Sequence, residues 1–207
     1  MRCVSRGLAA ALPPETARKI SREEMFRLPI RRYEGPVHLV ATAPDLRHAM
    51  QDICQETVVG FDTETRPAFR PGENYRPSLV QFATAGAVYL FQVERQSYSA
   101  AMREILSSAK VVKAGVSVAD DLRSLKKLFE FEEKAVLDLG NVARRIGLSQ
   151  TGVRNLAGIF LGVRIPKGAK TTNWAASRLT RQQITYAATD AWVCRELYLR
   201  FNQLHLV

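Results

Sequence analysis

The spacing of apolar residues along the chain changes period several times, and each change predicts an element. Thr57–Asp62 is β-branched and aromatic and reads as a strand. Ser78–Ala83 and Ala87–Phe91 flank a Thr-Ala-Gly turn, the pattern of a hairpin that continues the same sheet. Val111–Val116 predicts a fourth strand and Ala135–Leu139 a short fifth. Helical periods cover Ser97–Ser108 and Ala119–Phe129. Further upstream, Thr42 with Asp45 three residues on makes an acidic capping box, and Leu46, Ala49, Met50 and Ile53 share one face of the helix it opens. Beyond Leu139 the pattern is helical throughout: Gly140–Ile146, Gly152–Leu161 and a long helix from about Arg181 to Leu204. A strand, a hairpin and then alternating helix–strand units predict an α/β fold, a mixed sheet of about five strands with helices on both faces. Residues 1–35 hold no sustained period and carry Pro13-Pro14, Pro29 and Pro36 at or near their breaks, so they read as an N-terminal extension to a domain at 36–207.

Composition narrows the function classes. With 207 residues the chain accommodates one domain with a substantial core and would cramp two. No apolar run approaches the ~18–20 residues that span a bilayer, so no membrane role is expected. Gly7–Leu12 is shorter than the ~7–15-residue core of a secretory signal, although the Arg-rich, acid-poor start also suits an organellar presequence. Cys3, Cys54 and Cys194 are odd in number and form no CxxC pair, which points to a reducing compartment and a cytoplasmic protein. The net charge of +10 favours a polyanionic partner, though a soluble basic protein without one would carry the same charge.

Three places set acidic side chains among apolar neighbours. In Gly60-Phe61-Asp62-Thr63-Glu64, strand geometry projects Asp62 and Glu64 to one side. Two such carboxylates are costly unless a cation or donor neutralises them, or unless the strand end is solvated. In Val118-Ala119-Asp120-Asp121-Leu122, the stripe of Val118, Leu122, Leu125 and Phe129 turns Asp121 inward, while Asp120 falls on the polar face near the helix N-terminus. In the third, Thr180 with Gln183 forms a capping box, and Tyr186 and Asp190 then lie at i and i+4. Taken singly, each motif also suits an ordinary strand end, a helix cap or a helical Tyr–Asp pair. Taken together, four converging carboxylates repel and require cations. All-oxygen ligation selects hard ions, Mg²⁺ or Mn²⁺, and a pair of them about 3.5–4 Å apart suits phosphodiester hydrolysis.

Phe61-Asp62-Thr63-Glu64, Lys113-Ala-Gly115-Val-Ser-Val-Ala-Asp-Asp121 and Tyr186-Ala-Ala-Thr-Asp190-Ala resemble the motifs of the DEDD exonucleases, in the branch with a tyrosine in the last motif. Lys170-Thr-Thr-Asn173-Trp174 and Leu179-Thr180 are similar to the corresponding stretch of ribonuclease D and of the Werner-type exonuclease domain, and the resemblance covers roughly Val37 to Leu204. It implies a ribonuclease-H-like fold, two divalent metal ions, and 3′–5′ exonuclease activity that releases nucleoside 5′-monophosphates from DNA or RNA with a free 3′ end. It implies metal ligation by Asp62, Glu64, Asp121 and Asp190, with Tyr186 orienting the attacking water. The sister branch carries a histidine five residues before the last aspartate; Thr185 holds that place. Related proteins carry helicase or helical C-terminal modules for which this chain has no room, so no cellular pathway follows from the resemblance.

Lys167, Lys170, Arg178 and Arg181 cluster before the last motif with Trp174 among them, a pattern that suits a single-stranded end, although Trp174 equally suits the core. Gly162–Thr172 fails the spacing of a phosphate loop and follows a helix, which excludes a nucleoside triphosphatase. Arg66–Pro77, after the first acidic motif, reads as a substrate-facing rim or a plain loop. The rival function is a non-catalytic basic nucleic-acid-binding module, and a binding surface gains nothing from negative charge concentrated against phosphates.

Overall fold

The computed structural model describes residues 19–70, 72–93, 98–168 and 171–207. Its central strand is β2 (Val58–Thr65), flanked antiparallel by β3 (Pro77–Ala83) and parallel by β5 (Val112–Gly115). β3 pairs antiparallel with β4 (Val88–Gln92), the expected hairpin, and β6 (Val136–Asp138) joins β5 in parallel. A sixth strand that the apolar pattern does not reveal, β1 (Val37–Val40), lies parallel to β4, giving the order β1-β4-β3-β2-β5-β6. Its four residues bury only Val40, so it has almost no apolar signature; its backbone pairing with β4 makes it a strand.

Strand alternation sorts the core into two layers. Val59, Phe61, Val80, Phe82, Tyr89 and Phe91 face one side. There they meet α2 (Ala43–Gln55), α3 (Ser99–Ser107) and α4 (Val118–Leu125). The capping box at Thr42 and Asp45 is complete and opens α2, which buries Ala49 and Ile53. The opposite face is covered by α5 (Leu139–Arg145), α6 (Val153–Leu156), its π-helical continuation at Ala157–Leu161, and α7 (Arg181–Gln203). The stretch expected as one helix at Gly152–Leu161 therefore changes winding partway. α7 crosses β2 at very close range. A Cβ on Gly60 would stand 1.9 Å from the Ala191 carbonyl oxygen, so glycine is what lets the helix backbone settle onto the strand.

The described part of the N-terminal segment packs on this domain. Its helix α1 (Arg22–Arg27) opens at a complete Ser21–Glu24 capping box. Ile20 and the Gln150 side chain exchange hydrogen bonds of 2.7 and 3.0 Å. The Arg164 N–H donates to Pro29 O (2.8 Å), the Arg31 N–H to Arg164 O (3.0 Å) and the Tyr33 N–H to Thr189 Oγ1 (3.0 Å). No helix among the described residues is long and apolar enough to cross a membrane.

Candidate active site

β2 carries Phe61 into the α2–α4 layer, so its alternation turns Asp62 and Glu64 toward α7. The close packing at Gly60 fixes α7 over the strand and brings Asp190 to the same place. One carboxylate oxygen from each of Asp62, Glu64 and Asp190 lies within 4.8 Å of the other two. Glu64 and Asp190 are only 7% and 6% exposed. Burial, then the charges of Asp190, Glu64 and Asp121, push the Asp62 carboxyl well above the ordinary carboxylate range. A largely buried acid trio of this kind is unfavourable as three anions and favourable around a cation, and its all-oxygen donor set fits a hard divalent ion.

Asp121 reaches the same strand end from the other face. Ser117, in left-handed backbone (φ 62°), turns the chain into α4, whose first turn holds Asp120 and Asp121. Asp121 is half-buried and accepts a 2.6 Å hydrogen bond from the Thr63 hydroxyl. It stands outside the trio of Asp62, Glu64 and Asp190, and its charge is felt at Asp62. Burial raises its carboxyl to about 6, with the Thr63 hydrogen bond opposing the rise and Asp120 and Asp138 adding to it. Asp120 is exposed and pairs with Arg123 on the same helix, as its place on the polar face predicts.

α7 begins at the expected box, with Thr180 N–H donating to Gln183 Oε1 (2.9 Å) and Gln183 N–H to Thr180 Oγ1 (3.2 Å). Such a cap contributes about 1 kcal/mol. Gln183 Nε2 also donates to Thr172 Oγ1 (3.0 Å) and Asn173 O (3.1 Å), tying the Trp174 loop to the helix start. Tyr186 is half-buried, with the Trp174 ring centroid 6.0 Å from its own and Gly168 against its edge. Burial, then the charges of Asp190 and Glu64 and a hydrogen bond to Asp190, raise the Tyr186 hydroxyl far above its ordinary range. It therefore stays protonated at any working pH and acts as a hydrogen-bonding group rather than a base.

The expected substrate contacts divide. Lys167 lines a cavity of about 440 Å³ that opens beside Tyr186 and Asp190. Arg178 is exposed and is not among the residues lining that cavity. Lys170 lies outside the described residues. Trp174 is 0% exposed and packs with Ala187, Ala188 and Ala191, so it is a core anchor and offers no face to a base, correcting the stacking role. Arg32 and Arg181 also line the cavity, and Arg32 is not among the residues expected there. The Arg31-Arg32 doublet, adjoining a core-facing Tyr33, was the available signal.

Residues 37–204 match the family model described as 3′–5′ exonuclease. The mouse bifunctional 3′–5′ exonuclease/ATP-dependent helicase WRN is 27% identical, over 86% of this chain and 13% of that protein. Ribonuclease D of Haemophilus influenzae is 29% identical, over 82% of this chain and 43% of that protein. The chain thus spans less than half the length of either curated relative. Among solved structures, the exonuclease domain of Aedes aegypti Nibbler superposes with a TM-score of 0.74 at 25% identity, covering 85% of this chain and 91% of that one. With the match running from the first strand of the sheet through the helix that carries Tyr186 and Asp190, the chain belongs to the 3′–5′ exonuclease family.

Proposed function

We propose that this chain is a metal-dependent 3′–5′ exonuclease that removes nucleoside 5′-monophosphates from the 3′ end of DNA or RNA. The observation that carries the reading is the meeting of Asp62 and Glu64 with Asp190, which itself lines a cavity walled by Lys167, Arg32 and Arg181. Asp62, Glu64 and Asp190, with Asp121 from the opposite face, would hold two divalent ions, Mg²⁺ or Mn²⁺. Bound there, these ions supply Lewis-acid stabilisation of the charge that develops on the scissile phosphate. The basic walls hold the strand by its phosphates, as a single-stranded end requires. Tyr186, kept protonated by its buried acidic surroundings, orients water beside Asp190 through its hydroxyl. Thr63 fixes the Asp121 carboxylate by the 2.6 Å hydrogen bond.

Residues 36–207 form the proposed exonuclease domain and 1–35 its N-terminal extension, a division supported by the family match beginning at residue 37. The free Cys54 and Cys194 are in keeping with a reducing, cytoplasmic setting. The test is degradation of 5′-labelled single-stranded DNA and RNA with Mg²⁺, with Mn²⁺ and with excess chelator. A ladder shortening from the 3′ end that chelator abolishes is expected. A chain that binds the strand without shortening it under any metal condition is instead a basic nucleic-acid-binding module.

A further inference from the structure

A second cavity, of about 580 Å³, lies between α1 and the residues around Gln150, Arg154 and Arg164. It shares Ile165, Pro166 and Lys167 with the cavity beside Tyr186, so the two adjoin along this segment and together outline a trough. Arg22, Arg154, Arg164 and Lys167 line the second cavity and no carboxylate does. Among the described residues none of those four cations forms an ion pair. The charge of Arg154 reaches the Tyr186 hydroxyl, which places the trough's positive field at the catalytic end. At its far end Phe26 is 59% exposed, with the guanidinium carbons of Arg164 and Arg22 at 5.0 and 5.6 Å from its ring centroid. A large ring left in solvent, held by two guanidinium groups and ringed by unpaired cations, has the composition of a base-stacking platform beside a phosphate track. A patch for an apolar protein surface would not gather unpaired positive charge in this way. The helix that carries Arg22 and Phe26 is fixed through Ile20 and Pro29, so the platform is built into the fold. Both residues precede the family match, which begins at residue 37, whereas Arg154, Arg164 and Lys167 lie within it.

We propose that this trough is a binding site for single-stranded nucleic acid on the 5′ side of the scissile phosphate. Phe26 stacks on a base, and Arg22, Arg154, Arg164 and Lys167 follow the phosphates. The polarity of the strand rests on the exonuclease reading; the binding itself does not. The experiment is a competition titration, in chelator, of unlabelled single-stranded trinucleotides and dodecanucleotides against the parent chain, Phe26→Leu, Phe26→Trp and Arg22→Ala. The parent is expected to prefer the longer strand. Phe26→Leu loses roughly tenfold in affinity for the dodecanucleotide and less for the trinucleotide, and Phe26→Trp restores the loss because any aromatic face serves. Arg22→Ala lowers the slope of log affinity against log salt by about one. Equal affinity of parent and Phe26→Leu for the dodecanucleotide, or an equal loss at both lengths, overturns the proposal. Hydrolysis of the trinucleotide in Mg²⁺, measured alongside, separates the two readings. Length- and Phe26-dependent binding without hydrolysis retains the site and rejects the exonuclease, while hydrolysis with Phe26-indifferent binding does the reverse.

Discussion

Gly168→Ala tests whether the position of the Tyr186 ring sets the rate. A Cβ at residue 168 would stand 2.4 Å from Tyr186 Cδ2, 3.2 Å from Cε2 and 3.4 Å from Cγ. Ordinary contact begins at 3.4 Å, so the ring or the loop must yield by 3.4 − 2.4 = 1.0 Å. The ring has little room, because Trp174 packs against it and is itself fully buried. A displacement of about 1 Å in a positioning group costs on the order of 10²-fold in rate. Gly168 is exposed and its backbone is not left-handed, so alanine brings no backbone strain and little loss of stability. Single-turnover hydrolysis of a labelled strand at saturating protein reads the effect, with thermal melting as the check on folding. Gly86→Ala, where a Cβ meets nothing within 4 Å, is the neutral comparison. A double-mutant cycle sharpens the result: if Gly168 acts through the tyrosine hydroxyl, Gly168→Ala costs little in a Tyr186→Phe background. Cleavage by Gly168→Ala within about twofold of the parent, at an unchanged melting temperature, would refute the argument from this contact.

Tyr186→Phe keeps the ring packed and removes only the hydroxyl, so turnover should fall roughly 10²-fold while strand affinity in chelator is unchanged; parent-like turnover would make the tyrosine structural. Asp121→Asn should abolish measurable turnover, whereas Asp120→Asn, on the exposed face, should cost at most about 0.3–1 kcal/mol in stability; the reverse pattern in paired turnover and urea-melt assays would overturn the assignment. Because Asp121 titrates near 6 in the fold and near 4 when unfolded, its charge costs stability as pH rises through that window, so metal-free Asp121→Asn should be at least as stable as the parent at neutral pH. Lys113 is fully buried, donates to Ser108 O at 2.6 Å and is lowered by burial to about 8, so the unfolded chain binds the extra proton between about pH 8 and 10.4. Stability should therefore rise across that range in urea titrations and rise less in Lys113→Met; parallel curves would contradict the burial argument.

Period and capping made much of this legible in the chain. The boxes at Thr42 and Thr180 open α2 and α7 where they were expected, because a side chain and a backbone three residues away specify each other locally. The stripe of Val118, Leu122 and Leu125 separated Asp121 from Asp120 correctly, since helical period alone decides which side chain faces the sheet. Tertiary placement was less readable. Strand parity puts Asp62 and Glu64 on the α7 face, but only the order of layers shows that α4 lies on the other, so Asp121 meets Thr63 and stands apart from the trio. From sequence Trp174 suits either a base platform, because basic residues surround it, or a core anchor; the Gln183 bonds to Thr172 and Asn173 turn the loop so that the ring faces inward. Arg32 reaches the cleft through the tertiary bond from Tyr33 to Thr189, which no local pattern encodes.

The distribution of charge bears on the proposed activity more than its total. A binding module with a net charge of +10 would present cations wherever it meets phosphate. Here the cations Arg32, Lys167 and Arg181 form the walls of the cleft, and the acids gather beside Tyr186 at Asp190. Glu64 and Asp190 are withheld from solvent, so water cannot screen their repulsion, and the fold keeps them together through the Gly60 contact and strand parity. As anions these acids are costly to the empty protein and repel phosphate, and a multivalent cation between acid and strand makes the arrangement favourable. The Thr63 hydrogen bond to Asp121 and the protonated Tyr186 beside Asp190 then hold the surrounding groups in fixed orientation, as preorganised hydrolysis requires.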